Sequence, residues 1–479
     1  MKEKVKEKEK SFSSINLRSF LMVSGLLILI LALAGVLSNF ITQGAYEYNE
    51  SGEIIPGTYV ATQVQGIAFW RVITAPFRVF VSEDALTIIM ISVFLLVMSG
   101  VFNVMEKTGG VKALIGKITT SFANRKKMVI LITMLFFMLF GSFFGMFEEL
   151  VTLLPIIIVF TLSLGYDTMT GVGICMLAAC FGFSAAITNP FSVGLAAEIA
   201  GVPVYEGIWL RLLFFALVFG VLSAFILLHI KRITKNPQKS PTFDIDSEKL
   251  KTLSVGESQE VDGKVFKTYA IFFLVQLVVL VLIASVRTIS GFAIPILAVT
   301  FLVGGIISGL VVSSDKKKVF VDLGKGALGM LPAVFMIAVA SSVKLVLKES
   351  NIIDTIMHGV IVALEGKSKF VAILLIYLLI LFLQIFIGSA SAKIVLIMPI
   401  IMPICGVLGI SPAVVILTYC MADGFTDMIL PTNPVLLIGL SMANVSYGKW
   451  IKWTYLLQII TFALTLLILL FAVSINYGI

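Results

Sequence analysis

Two short polar interruptions sit in otherwise apolar sequence. Thr188-Asn189-Pro190 and Thr432-Asn433-Pro434 each place a hydroxyl and a carboxamide directly before a proline. Proline lacks an N–H and disfavours helix in the residue before it, so each motif unwinds the chain and frees backbone carbonyls. Hydroxyl, carboxamide and carbonyl oxygens are hard ligands suited to a small cation. The half-helix that restarts after each proline can hold a carboxylate at its N-terminus. Asn189 and Asn433 are therefore the candidate Na⁺ ligands, with Thr188 and Thr432 beside them. Upstream of each motif lies a run of small residues, Gly141-Ser142-Phe143-Phe144-Gly145 and Gly388-Ser389-Ala390-Ser391-Ala392. Gly141, Ser142, Gly145, Gly388, Ser389 and Ser391 let backbone approach a solute closely, and the serines add hydroxyl donors. Apolar segments broken at matching places in two halves of a chain point to a transport site near the bilayer midplane.

Acids accompany both motifs. Glu148 and Glu149 follow the first run of small residues, and Asp423 and Asp427 precede the second Thr-Asn-Pro. A carboxylate at membrane depth is costly unless it faces a cavity, pairs or binds a cation, so all four are candidate solute or ion ligands. Lys393 lies close to the second run, and a pair between it and Glu148 or Glu149 would be structural. Gln384, just upstream, lines the path. Asp167 and Glu198 read as interfacial, Lys344 as a snorkelling lysine, and His229 and His358 as edge residues without a role. The four cysteines, Cys175, Cys180, Cys405 and Cys420, lie within apolar segments and read as small core residues.

The elements that position these residues must be membrane helices. The chain is 59% hydrophobic and 13% charged, with a mean hydropathy of +1.08. Many stretches approach the ~20 apolar residues that span a bilayer. The alternating ~10-residue strands of an outer-membrane barrel are not seen. The net charge of +8 belongs to loops between spans, as the positive-inside rule expects, and implies no nucleic-acid partner. The expected organisation begins with a Lys/Glu-rich cytoplasmic tail, residues 1–19. A first half covers 20–230, with a re-entrant hairpin at 128–164 and a broken helix at 168–200. A polar cytoplasmic linker, 231–267, carries Pro237 and Pro241 and has the composition of a partly disordered segment. A second half covers 268–479, with a hairpin at 370–407 and a broken helix at 412–442. Residues 66–81 read as an interfacial amphipathic helix in an outer segment that carries Glu47, Glu50 and Glu53. Lys107, Lys112, Lys117, Arg125, Lys126 and Lys127 mark the next loop as cytoplasmic. The count is about nine full spans plus two hairpins entering from opposite faces, an inverted repeat in the cell membrane with a cytoplasmic N-terminus.

The run 141–149 with its Glu-Glu, the stretch Thr188-Asn189-Pro190-Phe191-Ser192-Val193-Gly194 and the run 388–392 together resemble the anaerobic C4-dicarboxylate carrier family. Within it they look most like the YfcC-type branch, which is similar to the arginine/ornithine antiporters. The resemblance covers nearly the whole chain outside the tail and linker. It implies membership of the ion transporter superfamily: a scaffold domain, an elevator-type transport domain built from two opposed hairpins and two broken helices, and a homodimer formed through the scaffold. Phe147 stands where that branch has a small residue, and the second site reads Pro431-Thr432-Asn433-Pro434.

The site collects four carboxylates, at most one lysine and no nearby arginine. That bias suits a cationic solute or a coupling Na⁺ or H⁺, and no other cofactor. The expected activity is secondary active transport of an amino acid, basic ones included, by exchange. A C4-dicarboxylate or small-peptide carrier coupled to Na⁺ or H⁺ is the alternative, since helix N-termini and Ser/Asn donors can replace basic side chains. A channel would conduct without saturation. The chain has no His-Glu-x-x-His, Gly-x-Ser-x-Gly or P-loop motif, so a membrane-embedded enzyme is disfavoured.

Overall fold

The computed structural model describes residues 17–47, 57–62, 66–83, 85–111, 113–114, 125–254, 263–285, 292–350, 352–364 and 366–478. The Lys/Glu tail up to residue 16, Glu50, Glu53, Lys112, Lys117 and residues 255–262 of the linker lie outside these residues, as does the side chain of Glu149.

The protein is an all-α polytopic membrane protein. Among the described residues, seven helices are long and apolar enough to cross a bilayer. Ile88–Lys107, Ile208–Lys235, Pro295–Val312, Lys316–Glu349 and Tyr447–Ser474 fall on expected spans. Lys126–Phe144 and Ala390–Val407 meet the same criteria and lie in the segments expected to form hairpins. An arm can be as long as a span; what separates them is where the chain goes next. At the base of the first hairpin, Lys126 Nζ donates to the Leu164 carbonyl at 2.8 Å, so the chain returns to where it began. At the base of the second, Lys369 lies against Gly409.

The two bases sit at opposite ends of the molecule. Trp453, near the start of the helix Tyr447–Ser474, donates to His229, which pairs with Asp167 beside the first base. Asn476, beyond the other end of that helix, accepts from Lys369 at the second base. A helix of 28 residues is about 42 Å long at 1.5 Å per residue.

Each interruption has a local cause. The first arm ends in a π-helical turn, Phe140–Phe144, closed by Gly145 at φ 68°, a left-handed conformation that suits glycine. Asn189, Ser389, Ser411 and Asn433 each cap the N-terminus of the helix that follows, and Pro190, Pro412 and Pro434 occupy first-turn positions where a missing N–H is harmless. The helix Phe69–Arg78 buries Val72 and Ala75 and exposes Phe69, Trp70, Ile73 and Phe77, as an interfacial helix should.

Helix Ala85–Lys107 packs on Ala293–Val312 and Lys316–Gly329, and Leu17–Leu37 packs on Leu331–Glu349. A second group gathers the hairpins, the broken helices, Ile208–Lys235 and Tyr447–Ser474; helix Leu331–Glu349 meets it at Pro434–Ala443. A two-strand ribbon, Gly44–Ala45 with Val60–Ala61, docks on helix Ile352–Leu364, where the Tyr46 N–H donates to Asp354 and Tyr59 stacks on His358.

Up to residue 254 the linker is helical and docked. Helix Ile208–Lys235 runs into it, and residues 243–254 form a second helix. That helix is docked through polar contacts. Asp246 accepts from the Thr168 N–H at 3.1 Å, from Thr168 Oγ1 at 2.5 Å and from Thr242 at 2.7 Å. Lys249 Nζ donates to Thr168 Oγ1 at 3.2 Å and to the Ala443 carbonyl at 3.0 Å. The linker therefore caps the start of one broken helix and the end of the other. Burial pushes the Lys249 ammonium down to about 8 against the pull of Asp246, and it raises the Asp246 carboxyl. Burial would raise Asp167 too, but hydrogen bonds from His229, Thr170 and Ser240 and the charge of His229 outweigh it and hold the group below its ordinary value. The sequence reading gave His229 no role; it is one of the groups that fix this junction.

Candidate functional site

Both tips and both breaks meet at one cavity of about 180 Å³. Gly145, Phe147 and Glu148 line it from the first tip, and Phe191 lines it from just after the first Thr-Asn-Pro. Gly388, Ser389 and Ser391 line it from the second tip, with Asn433 and Asp427 from the second broken helix. Phe147, Phe183 and Phe191 supply an apolar wall. The sequence motifs did not point to Phe183 or Phe191 as liners; Phe191 was legible only as the residue after Pro190.

The first tip and break are knitted by backbone. The Ser142 carbonyl accepts from the N–H groups of Ile187, Thr188 and Asn189 at 3.0, 3.3 and 3.1 Å. Ser142 Oγ donates to the Ala185 carbonyl at 2.6 Å and accepts from the Ile187 N–H at 3.1 Å. Thr188 Oγ1 donates to the Phe143 carbonyl at 3.1 Å. Gly141 makes this approach possible: a Cβ there would lie 2.0 Å from the Ala179 carbonyl oxygen. Gly145 sits against the Asn189 side chain in the same way, its would-be Cβ 2.2 Å from Asn189 Oδ1. Ser142, Asn189 and Gly141 are buried behind the cavity wall rather than on it.

The second tip and break are held by side chains. Asp427 Oδ1 accepts from Gln384 Nε2 and from Asn433 Nδ2, the latter at 2.7 Å. Asn433 Oδ1 accepts the Val435 N–H at 2.8 Å. Ser389 Oγ accepts the Ala392 N–H at 3.4 Å, and Ser391 Oγ donates to the Phe191 carbonyl at 3.3 Å, a direct contact from second tip to first break. Tyr419 Oη donates to the Ala390 carbonyl at 2.7 Å. Lys393 and Asp423 form an ion pair, and both are buried. The structural pairing proposed for Lys393 with Glu148 or Glu149 is thus replaced by Asp423, while Glu148 lies exposed at the cavity. Thr432 is half-buried and is not among the cavity-lining residues.

Both asparagine oxygens also serve as helix caps. Asn189 Oδ1 accepts the Phe191 N–H at 2.9 Å, and Asn433 Oδ1 accepts the N–H groups of Val435 and Leu436. Each also carries an amide N–H₂. That of Asn433 serves Asp427, and that of Asn189 is buried without a partner among the described residues. No group of three or more His, Cys, Asp or Glu side chains able to hold a metal ion occurs among the described residues. The four cysteines are free and buried.

The chain is similar to several known proteins. The Escherichia coli K12 protein YfcC, described as a candidate basic amino acid antiporter, is 27% identical over 76% of this chain and 74% of its own length. An uncharacterized Haemophilus influenzae protein is 27% identical over 78% of this chain and 73% of its own. Among solved structures, the Alcanivorax borkumensis YdaH transporter gives a TM-score of 0.42 at 17% identity, over 96% of this chain and 98% of that one. The Neisseria gonorrhoeae efflux pump MtrF gives 0.40 at 15% identity, over 94% of each. The C4-dicarboxylate anaerobic carrier family matches residues 20–474, so the chain belongs to that family and is a secondary active transport protein of the membrane, not an enzyme.

Proposed function

We propose that the chain exchanges amino acids across the cell membrane, with basic amino acids as the preferred solutes. The observation that carries this reading is the charge of the shared cavity. Asp427 and Glu148 line it, whereas the nearest lysine, Lys393, is already paired with Asp423. A cationic side chain of the solute would face the acids. Its α-carboxylate would face Ser389 and the helix N-terminus that Ser389 caps. The name carried by YfcC agrees with this choice of solute.

The site residues carried forward are the fourteen candidates of the sequence. Gly145, Glu148, Gly388, Ser389, Ser391, Asp427 and Asn433 face the solute. Gly141, Ser142, Thr188, Asn189, Asp423 and Thr432 act from behind or beside them, and Glu149 is kept as a candidate of the sequence. The two halves are read as an inverted repeat, supported by the opposite positions of the hairpin bases. The group of hairpins and broken helices moves as an elevator against the other helices, through which two copies associate. The linker side is cytoplasmic.

Counterflow in proteoliposomes loaded with arginine, ornithine, succinate or a dipeptide tests the assignment. Saturable exchange of arginine and ornithine, with no response to succinate, is expected. Succinate exchange alone would replace it with the C4-dicarboxylate reading, which the serine hydroxyls and helix N-termini at the cavity favour.

A further inference from the structure

We infer that Lys393 is a tethered cation, its ammonium filling beside Asp423 the place that a coupling Na⁺ would otherwise take. The inference deepens the proposed function and takes from it only the position of the site. Asp423 and Asp427 lie one helical turn apart, hence on one face of helix Pro412–Asp427. The Lys393 ammonium pairs with Asp423, while Asp427 is held by the amides of Gln384 and Asn433 and reaches the cavity. Lys393 is completely buried, four residues after the Ser389 cap, on the hairpin arm that packs against the acids. The carboxamide oxygens that could have completed a sodium shell are both engaged with backbone N–H groups. A bound ion must shed its water and give up translational freedom on every cycle; a side chain on the hairpin has done so once, at folding. The pair then crosses as a neutral unit, and Asp427 alone is left to meet a cationic group of the solute or a proton. Coupling to sodium is lost by construction.

The test needs no transport. Thermal unfolding of the purified full-length protein is compared in NaCl and in choline chloride of equal ionic strength. The natural protein is expected to unfold at the same temperature in both. Lys393→Met exposes Asp423 to a free ion, and NaCl should then raise its Tm over choline by at least about 2 °C, since a ligand bound only by the folded state stabilises it by mass action. The charge-balanced pair Lys393→Met with Asp423→Asn should be indifferent to sodium again. Sodium-specific stabilisation of the natural protein, or a folded Lys393→Met that ignores sodium, overturns the inference. Should Lys393→Met not fold, the double variant decides: indifference supports the neutral pair, and a sodium response overturns it. Failure of arginine counterflow in the natural protein would sink the proposed solute and leave this result standing.

Discussion

The two tip-and-break junctions do the same geometric task with different chemistry. In the first, glycines and one serine bring backbone against backbone, and a single carbonyl, that of Ser142, gathers three N–H groups. In the second, the tip stands clear. A Cβ on Gly388 would meet nothing within 4 Å, and Gly388 and Ser389 are exposed. Its arms are tied to the neighbouring helix by Gln384–Asp427 and Lys393–Asp423 instead. Backbone knitting makes a fixed wall. Charged and amide contacts between long side chains can be exchanged for contacts with a solute, so the second junction is the one equipped to respond to cargo.

The sharpest way to break this comparison is to add one methyl group to each tip. Gly141→Ala drives a Cβ into the Ala179 carbonyl, and neither backbone can yield cheaply, so a loss of about 3 kcal/mol, the upper range for overpacking, is expected. Gly388→Ala should be neutral or stabilising by about 0.5 kcal/mol, through a less flexible unfolded chain. Tm values in detergent measure both, and equal losses would erase the distinction.

A smaller effect separates the asparagines. Asn433→Asp places a carboxylate beside Asp427 in place of a donor, whereas Asn189→Asp keeps an acceptor for the Phe191 N–H. The first should cost about 2 kcal/mol, from a charge left buried and a donor lost, and the second less than about 1 kcal/mol, because aspartate is itself a good cap. Arginine counterflow should stop in Asn433→Ala and in Asn189→Ala, each made at normal levels; normal exchange in both would remove them from the site.

The smallest expected effect is on the linker. Undocked, Lys249 keeps its proton to about its ordinary 10.5; docked, it releases it near about 8. Between these values the undocked state binds more protons, so docking strengthens as pH rises, by up to about tenfold per pH unit. Cleavage within residues 236–254 by an alkali-tolerant protease should therefore slow from pH 8 to pH 10, and Lys249→Met should flatten that slope.

Much of this was legible in the sequence because hydrophobic length and helix-breaking chemistry are local. The breaks before Pro190 and Pro434 lie where those prolines put them, and the interfacial helix at residues 69–78 follows from its own pattern. What was not legible is who pairs with whom. The sequence placed Lys393 near acids at membrane depth, but the choice of Asp423 over the glutamates depends on which helix the hairpin arm lies against. The linker misled for the opposite reason. Its polar residues looked solvated, yet Ser240, Asp246 and Lys249 are the very groups with which it docks, and Thr242 braces Asp246. That the carboxamide oxygens also cap helices depends on geometry that the motif alone does not state.

The docked linker also constrains how the protein is made. The Thr168 N–H waits 78 residues for Asp246, and Lys249 in turn waits 194 residues for the Ala443 carbonyl. A ribosome delivers these partners in that order, so a truncated first half leaves the opening turn of its broken helix unmet. A chain lacking the last helices would hold a buried lysine with its second acceptor missing. The clasp is thus complete only when both halves of the chain are present.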